Sequence, residues 1–139
     1  MTIWTGPNGH RQFMRRLLAR TLLPQLEHEL RERGGEAAFV AELRARVRAS
    51  LGEGDALMES VARALGTSER TLQRRLRQAG TSFRDIVDEV RRETALAQLG
   101  RRDATVTDIA FLLGFSDLSA FSRAFRRWTG ASPSEYRGG

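Results

Sequence analysis

Two short stretches of the chain concentrate polar side chains suited to a negatively charged surface. Each combines guanidinium groups with hydroxyl or amide groups at helical spacing: Arg70, Thr71, Gln73 and Arg74 in the first, and Ser119, Ser122 and Arg123 in the second. A guanidinium or carboxamide group offers paired hydrogen bonds to phosphates or to the edges of nucleic-acid bases, whereas a short hydroxyl bonds directly or through water. These residue types indicate recognition of a polyanion.

Residue types that carry out covalent or metal chemistry are scarce. The sequence has no Cys, which excludes disulfides, thiolate metal sites and cysteine nucleophiles. Its two histidines, His10 and His28, have no partner at metal-ligand spacing. The carboxylates within residues 85–93 alternate with arginines such as Arg84 along one predicted helix, which indicates ion pairs within that helix. We therefore expect no enzyme, no metal and no cofactor.

The charge of the chain also favours a polyanionic partner. The formal net charge is +6, and all 23 basic residues are Arg. A GC-rich genome would also favour Arg over Lys, so the absence of Lys has two candidate causes. No apolar run approaches the roughly 20 residues needed to span a bilayer, and residues 1–13 lack the apolar core of a signal peptide. We expect a cytoplasmic, nucleoid-associated protein without membrane contact.

The N-terminal third of the chain is predicted to be helical. Apolar residues recur at spacings of three to five over residues 12–33, which predicts an amphipathic helix bent at Pro24. Gly34 and Gly35 are expected to end this helix, and the pattern resumes as a second helix over residues 36–51.

A glycine-containing break at residues 52–55 separates this N-terminal extension, residues 1–56, from a domain of residues 57–139. Short amphipathic segments with tight turns predict six helices in that domain, over residues 57–65, 69–78, 83–99, 106–113, 117–128 and 133–136. The expected fold is therefore all-α: two similar helical units joined by the long helix at 83–99.

An internal repeat organises this domain. Residues 62–68 are echoed 48 positions later by residues 110–116, each with Ala four before a Gly, Leu directly before it and Ser two after it. The Ala permits close helix approach, Gly66 and Gly114 permit the positive φ that ends a helix, and the Ser can cap the next helix. These features predict two helix-turn-helix units.

The helix that follows each turn is also repeated, but its residues correspond at an offset of 49 instead of 48. The turn or cap of the second copy is therefore one residue longer. Both copies place an outward arginine, Arg74 or Arg123, two positions after an inward apolar anchor. A face that served only solubility would have no reason to repeat this register, so we interpret it as a DNA-contacting face. The linking helix, about 27 Å long, can set the two faces near one DNA turn of about 34 Å apart.

The sequence resembles the AraC/XylS family of transcription regulators. Residues 110–136, AFLLGFSDLSAFSRAFRRWTGASPSEY, are similar to the family's signature region, and ALGTSERTLQRRLRQAGTSF is similar to its other helix-turn-helix. The resemblance covers residues 57–137. Weaker similarity extends back to residue 17, which resembles the last helix of a ligand-sensing domain and the interdomain linker of larger members; the chain is then a C-terminal fragment, although self-contained members exist.

This resemblance implies roles for individual residues. It implies base contacts in two successive major grooves by the two clusters that open this subsection. Phosphate contacts or supports are implied at a further set of positions: Ser68, Arg77, Arg102, Ser116, Arg126, Arg127 and Tyr136. The partner is double-stranded promoter or operator DNA, and activation in this family implies contact with RNA polymerase.

Two alternatives concern other surfaces of the chain. Residues 12–51 could form a homodimer or partner surface, making the protein a helical interaction module with only nonspecific DNA affinity. Aromatic side chains in the second unit could stack on bases, but their spacing favours burial in the core: Phe115, Phe121, Phe125, Trp128 and Tyr136.

Overall fold

The computed structural model describes residues 23–138. This range is helical and contains no strand, which confirms the predicted all-α fold. Seven α-helices follow one another, with a 3-10 segment, Leu51–Ala56, after the first: α1 (Leu23–Ser50), α2 (Leu57–Ala64), α3 (Glu69–Gln78), α4 (Phe83–Leu99), α5 (Val106–Leu112), α6 (Leu118–Thr129) and α7 (Pro133–Gly138). None of the described helices has both the length and the hydropathy needed to cross a membrane.

Helix α1 departs from the predicted pattern. The expected stop at Gly34 and Gly35 is wrong, because α1 continues through both residues to Ser50. Neither glycine has a positive φ, and a Cβ at either position would meet nothing within 4 Å. Glycine costs a helix only about 1 kcal/mol relative to Ala and keeps its backbone N–H, so the good helix formers on both sides carry α1 through. The predicted bend at Pro24 involves the preceding turn, which lies outside the described residues together with the rest of 12–22.

The chain divides into two units between Phe39 and Val40. In the first unit the described residues are 23–39, where Leu26 and Leu30 are 51% and 65% exposed. In the second unit the last turns of α1 contribute Leu43 and Val47 to the buried core. Residues 40–50 of α1 are therefore a structural part of the second unit.

Within the second unit, α2 and α3 form the first helix-turn-helix around buried apolar side chains: Leu57, Val61, Ala62, Leu72 and Leu76. Helix α4 follows, and its apolar residues at helical spacing form one buried face: Phe83, Ile86, Val87, Val90, Ala95 and Leu99. With 17 residues, α4 is about 26 Å long, close to the predicted length of the linking helix.

Helices α5 and α6 form the second helix-turn-helix, which is the second copy of the repeat, and α7 packs against it. Phe121 and Phe125 are fully buried, as predicted for the aromatic cluster, and their ring centroids lie 5.8 Å apart. Tyr136 was expected in the same core, but it remains 47% exposed. Its ring meets Phe125 edge-on at 5.5 Å, because the short α7 covers the core with one side of that ring and leaves the rest in solvent.

The ion pairs predicted within α4 do not form among its own side chains. Arg44 of α1 instead hydrogen-bonds to Glu89 and, at 2.7 Å, to Glu93 of α4. The hydrogen bond to Glu89 raises the pKa of Arg44. Arg48 adds a contact of 3.7 Å to Glu93. The prediction failed because a neighbouring helix offers these carboxylates an arginine, which helical periodicity alone cannot reveal.

Candidate nucleic-acid interface

The turn between α2 and α3 has the predicted chemistry. Gly66 has a φ of 68°, and the Thr67 N–H reaches back to the Ala62 carbonyl at 3.0 Å, which closes the end of α2. The Ser68 hydroxyl then accepts a hydrogen bond of 3.1 Å from the Thr71 N–H and caps α3. The predicted helix-ending role of Gly66 and the predicted capping role of Ser68 are confirmed.

The turn between α5 and α6 shares this design with one change. Gly114 has a φ of 85°, as predicted, and the Phe115 N–H bonds to the Ala110 carbonyl at 3.1 Å. The predicted cap Ser116 is wrong: the N-cap is Asp117, whose carboxylate accepts a bond of 2.7 Å from the Ala120 N–H. The extra residue accounts for the change of offset from 48 to 49, and it moves the capping position from Ser116 to Asp117.

Gly114 also permits a close approach that Gly66 does not. A Cβ at Gly114 would lie 2.1 Å from the Leu51 carbonyl oxygen and 3.4 Å from the Gly54 nitrogen. At Gly66 it would meet nothing within 4 Å. The second turn is therefore packed against the 3-10 segment, with its backbone in direct contact.

Helix α3 presents the first predicted cluster to solvent. Leu72 and Leu76 are fully buried, and this orientation leaves exposed the side chains of Arg70, Gln73, Arg74 and Arg77. Thr71 is half-buried, and its hydroxyl accepts a hydrogen bond of 3.0 Å from Ser68. Three of the four predicted base-contacting residues of α3 are thus available to a ligand, and the fourth lies at the cap.

Helix α6 presents the second cluster in the same way. Ser119 and Arg123 are exposed, whereas Ser122 is half-buried. Arg126 lies 3.6 Å from Glu135, and Arg127 lies 3.9 Å from Asp88 of α4. Exposed ion pairs of this length contribute little free energy, so a phosphate can replace either carboxylate at small cost.

Two adjoining grooves lie beside parts of α3 and α6. One, of about 390 Å³, is lined by Arg123 and Arg127 of α6, and the other, of about 370 Å³, by Gln73 and Arg77 of α3. The grooves share three lining residues: Met58, Phe83 and Arg84. One residue of each predicted base-contacting cluster, Gln73 and Arg123, therefore lies on a surface that runs past the start of α4, whereas the other members of the two clusters line neither groove.

Two further arginines hold this surface in place: Arg91 was expected only in ion pairs within α4, and Arg137 had no predicted role. Arg91 of α4 donates to the Leu113 carbonyl at 3.0 Å, and its guanidinium lies 4.6 Å from the centre of the Phe115 ring. Burial lowers its pKa, although Asp88 and Asp55 oppose this shift. Arg137 donates to the Ala104 carbonyl at 2.6 Å and to nearby carbonyls at the end of α4.

Both arginines position helices through these bonds. Arg91 ties α4 to the second turn, and Arg137 ties α7 to the end of α4. The remaining predicted phosphate contacts Arg102, Ser116 and Tyr136 are exposed. No group of three or more potential metal ligands lies within residues 23–138.

Comparison with known proteins identifies the family. The helix-turn-helix domain family matches residues 61–139. The ornithine utilization regulator of Pseudomonas aeruginosa is 48% identical over 80 residues, which are 58% of this chain and 24% of that protein. The chain thus spans about a quarter of the length of the curated relatives it matches.

Solved structures agree with this match. The DNA-binding domain of the global transcriptional factor AdpA, in complex with a target DNA, is 30% identical with a TM-score of 0.60 over 71% of this chain and 89% of that one. An AraC-type transcriptional regulator from Chromobacterium violaceum is 25% identical with a TM-score of 0.64, over 76% of this chain and 94% of that one. The chain belongs to the AraC-type helix-turn-helix domain family, as the repeated turn and its two arginine-bearing helices indicated.

Proposed function

We propose that this chain binds double-stranded DNA sequence-specifically and thereby regulates transcription. Helices α3 and α6 enter two successive major grooves, and α4 sets the distance between them. The observation that carries the proposal is the pair of adjoining grooves between the two helices, which Arg77 of α3 lines on one side and Arg123 and Arg127 of α6 line on the other. The similarity to the AdpA domain, which was solved with its target DNA, supports the same mode of binding.

Specificity in this proposal comes from the exposed faces of α3 and α6. Base edges are read by Arg70, Thr71, Gln73, Arg74, Ser119, Ser122 and Arg123. Phosphates are bound by Ser68, Arg77, Arg102, Ser116, Arg126, Arg127 and Tyr136. Arginine can bond a guanine edge through two donors, so Arg74 and Arg123 carry most of the direct recognition, whereas the short hydroxyls of α6 act more weakly or through water.

The direct test is selection of binding sites from a random duplex library at about 0.15 M salt, followed by titration of the selected duplex against a scrambled one. The proposal expects an asymmetric site that covers two major grooves and is preferred at least about a thousandfold. If no sequence is enriched and the affinity only declines with salt, the chain is a nonspecific polyanion binder, and this function is wrong.

The same proposal assigns different roles to the two parts of the chain. Residues 57–139 contact DNA, and residues 1–56 form an extension whose last part supports the domain through Leu43, Val47 and Arg44. We further propose that the protein acts in the cytoplasm at the nucleoid, has no catalytic activity and contacts RNA polymerase when bound to a promoter. Recruitment of the polymerase to the selected duplex, with and without the protein, tests the last point.

A homodimer through residues 12–51 is a second proposal, and one observation supports part of it. Leu26 and Leu30 are exposed on α1, whereas Leu43 and Val47 are already buried within the second unit. A dimer face is therefore confined to the part of this segment before residue 40. Sedimentation of the wild type and of Leu26→Glu tests it, because a dimer through this face would dissociate in the variant.

A further inference from the structure

We propose that Arg84 is a third point of contact with DNA, where its guanidinium binds a backbone phosphate between the two major grooves. This inference rests on the proposed function, because it concerns the stretch of DNA that lies between α3 and α6. It assigns a ligand to a side chain that the sequence pattern attributed to ion pairing within α4.

The position of Arg84 is the first argument. It is the second residue of α4, its side chain is exposed, and it lines both grooves. On the α3 side its neighbours are Gln73 and Arg77, and on the α6 side they are Arg123 and Arg127. Arg84 is thus an exposed positive charge shared by the two grooves, although Asp55 and Asp88 also line the groove on the α6 side.

The second argument is that Arg84 has no structural partner. It makes no ion pair or hydrogen bond with any other residue in the described range 23–138, although Asp88 stands at the i+4 position, where a helical ion pair can form. Asp88 is directed to Arg127 instead. Arg91, on the same side of α4, differs because the Leu113 carbonyl and the Phe115 ring occupy its guanidinium.

The third argument comes from the shape of the duplex. Two helices in successive major grooves on one side of B-form DNA flank a minor groove, whose two borders are phosphate backbones. A surface that connects the two helices must therefore pass close to a phosphate strand. A guanidinium binds phosphate through two parallel hydrogen bonds, and the amino end of the 17-residue α4 adds a favourable dipole.

Salt titration of the selected duplex measures this contact. We compare the wild type with Arg84→Gln, which removes the charge, and with Arg84→Lys, which keeps it. Arg92→Gln is the matched control, because Arg92 is exposed on the same helix and lines neither groove. Thermal melting by circular dichroism should give the same midpoint for all four proteins, since no intramolecular contact is lost.

One phosphate contact contributes about 0.9 to the slope of log affinity against log salt. Between 50 and 200 mM salt, the advantage of the wild type over Arg84→Gln should therefore shrink about 3.5-fold. Arg84→Lys and Arg92→Gln should keep the wild-type slope. The loss in Arg84→Gln should be equal for duplexes with A·T-rich and G·C-rich central base pairs.

Two results would overturn the assignment. If Arg84→Gln keeps the wild-type slope, or loses no more than Arg92→Gln, Arg84 does not bind a phosphate. If its loss depends on the central base composition, Arg84 contacts base edges in the minor groove instead. Failure of the wild type to select any sequence is a separate result, which refutes the proposed function.

Discussion

Replacing Gly114 by Ala should damage the protein far more than the same change at Gly66. The two glycines occupy equivalent positions in the two turns, and both have positive φ values, 85° and 68°. An L-residue in this region costs roughly 1–2 kcal/mol, so both variants share that penalty. Only Gly114→Ala adds a steric conflict, because the new Cβ would lie 2.1 Å from the Leu51 carbonyl oxygen.

The added cost follows from what would have to move. The conflict is with backbone of the 3-10 segment, and the Gly54 nitrogen, 3.4 Å away, blocks an easy shift of the Cβ. Forced overpacking of this kind typically costs 1–3 kcal/mol. Gly66→Ala should therefore lower the free energy of unfolding by roughly 1–2 kcal/mol, and Gly114→Ala by roughly 2–5 kcal/mol.

Urea unfolding followed by circular dichroism measures both losses on the same scale. In a domain of this size each 1 kcal/mol corresponds to about 4–8 °C in melting temperature, so the two variants should separate clearly in a thermal scan. Equal losses for Gly66→Ala and Gly114→Ala would refute the reasoning, because the backbone contact at Leu51 would then make no difference to stability.

Three further predictions test the remaining features. Arg74→Ala should weaken binding to the selected duplex by about 1–3 kcal/mol and relax preference at one base pair, and a uniform loss over all duplexes in a mutational scan of the site would exclude base reading. Asp117→Ala should lower stability by about 1 kcal/mol through loss of the N-cap, whereas Ser116→Ala should have almost no effect on the same unfolding curve. Arg44→Ala should lower the free energy of unfolding by about 0.5–1 kcal/mol. A double-mutant cycle with Glu93→Ala should give a coupling free energy between the two side chains, and a coupling of zero would mean that the pair contributes nothing to stability.

Much of the domain could be predicted because its information is local and repeated. The Gly at positions 66 and 114 marks a helix end by backbone conformation alone, and the buried anchors of α3 and α6 follow the period of a helix. Aligning the two copies of the repeat also shows where they differ in length, so the extra residue of the second turn was predictable from the sequence. Its consequence, the exchange of Ser116 for Asp117 as cap, depended on backbone geometry.

The errors have a common physical origin in interactions between distant parts of the chain. Glu93 is bonded by Arg44, which is 49 positions earlier, and Arg137 reaches carbonyls more than 30 positions away. Helical periodicity identifies which side of a helix is polar, but it cannot identify the helix that approaches that side. The ion pair expected of Arg84 within α4 is absent for the same reason, since Asp88, four positions later, lies 3.9 Å from Arg127 of α6.

Because the two turns differ in length and packing, the two helix-turn-helix units are not equivalent. The turn at Gly66 is the shorter one, and a Cβ built there would meet nothing within 4 Å. The turn at Gly114 is one residue longer and is packed against the backbone at Leu51. Helices α3 and α6 are therefore not interchangeable, and under the proposed function a single molecule would bind its DNA site in one defined orientation. Inverting that site within a promoter would then reverse the order in which α3 and α6 follow one another along the promoter, while the proposed base contacts stay the same.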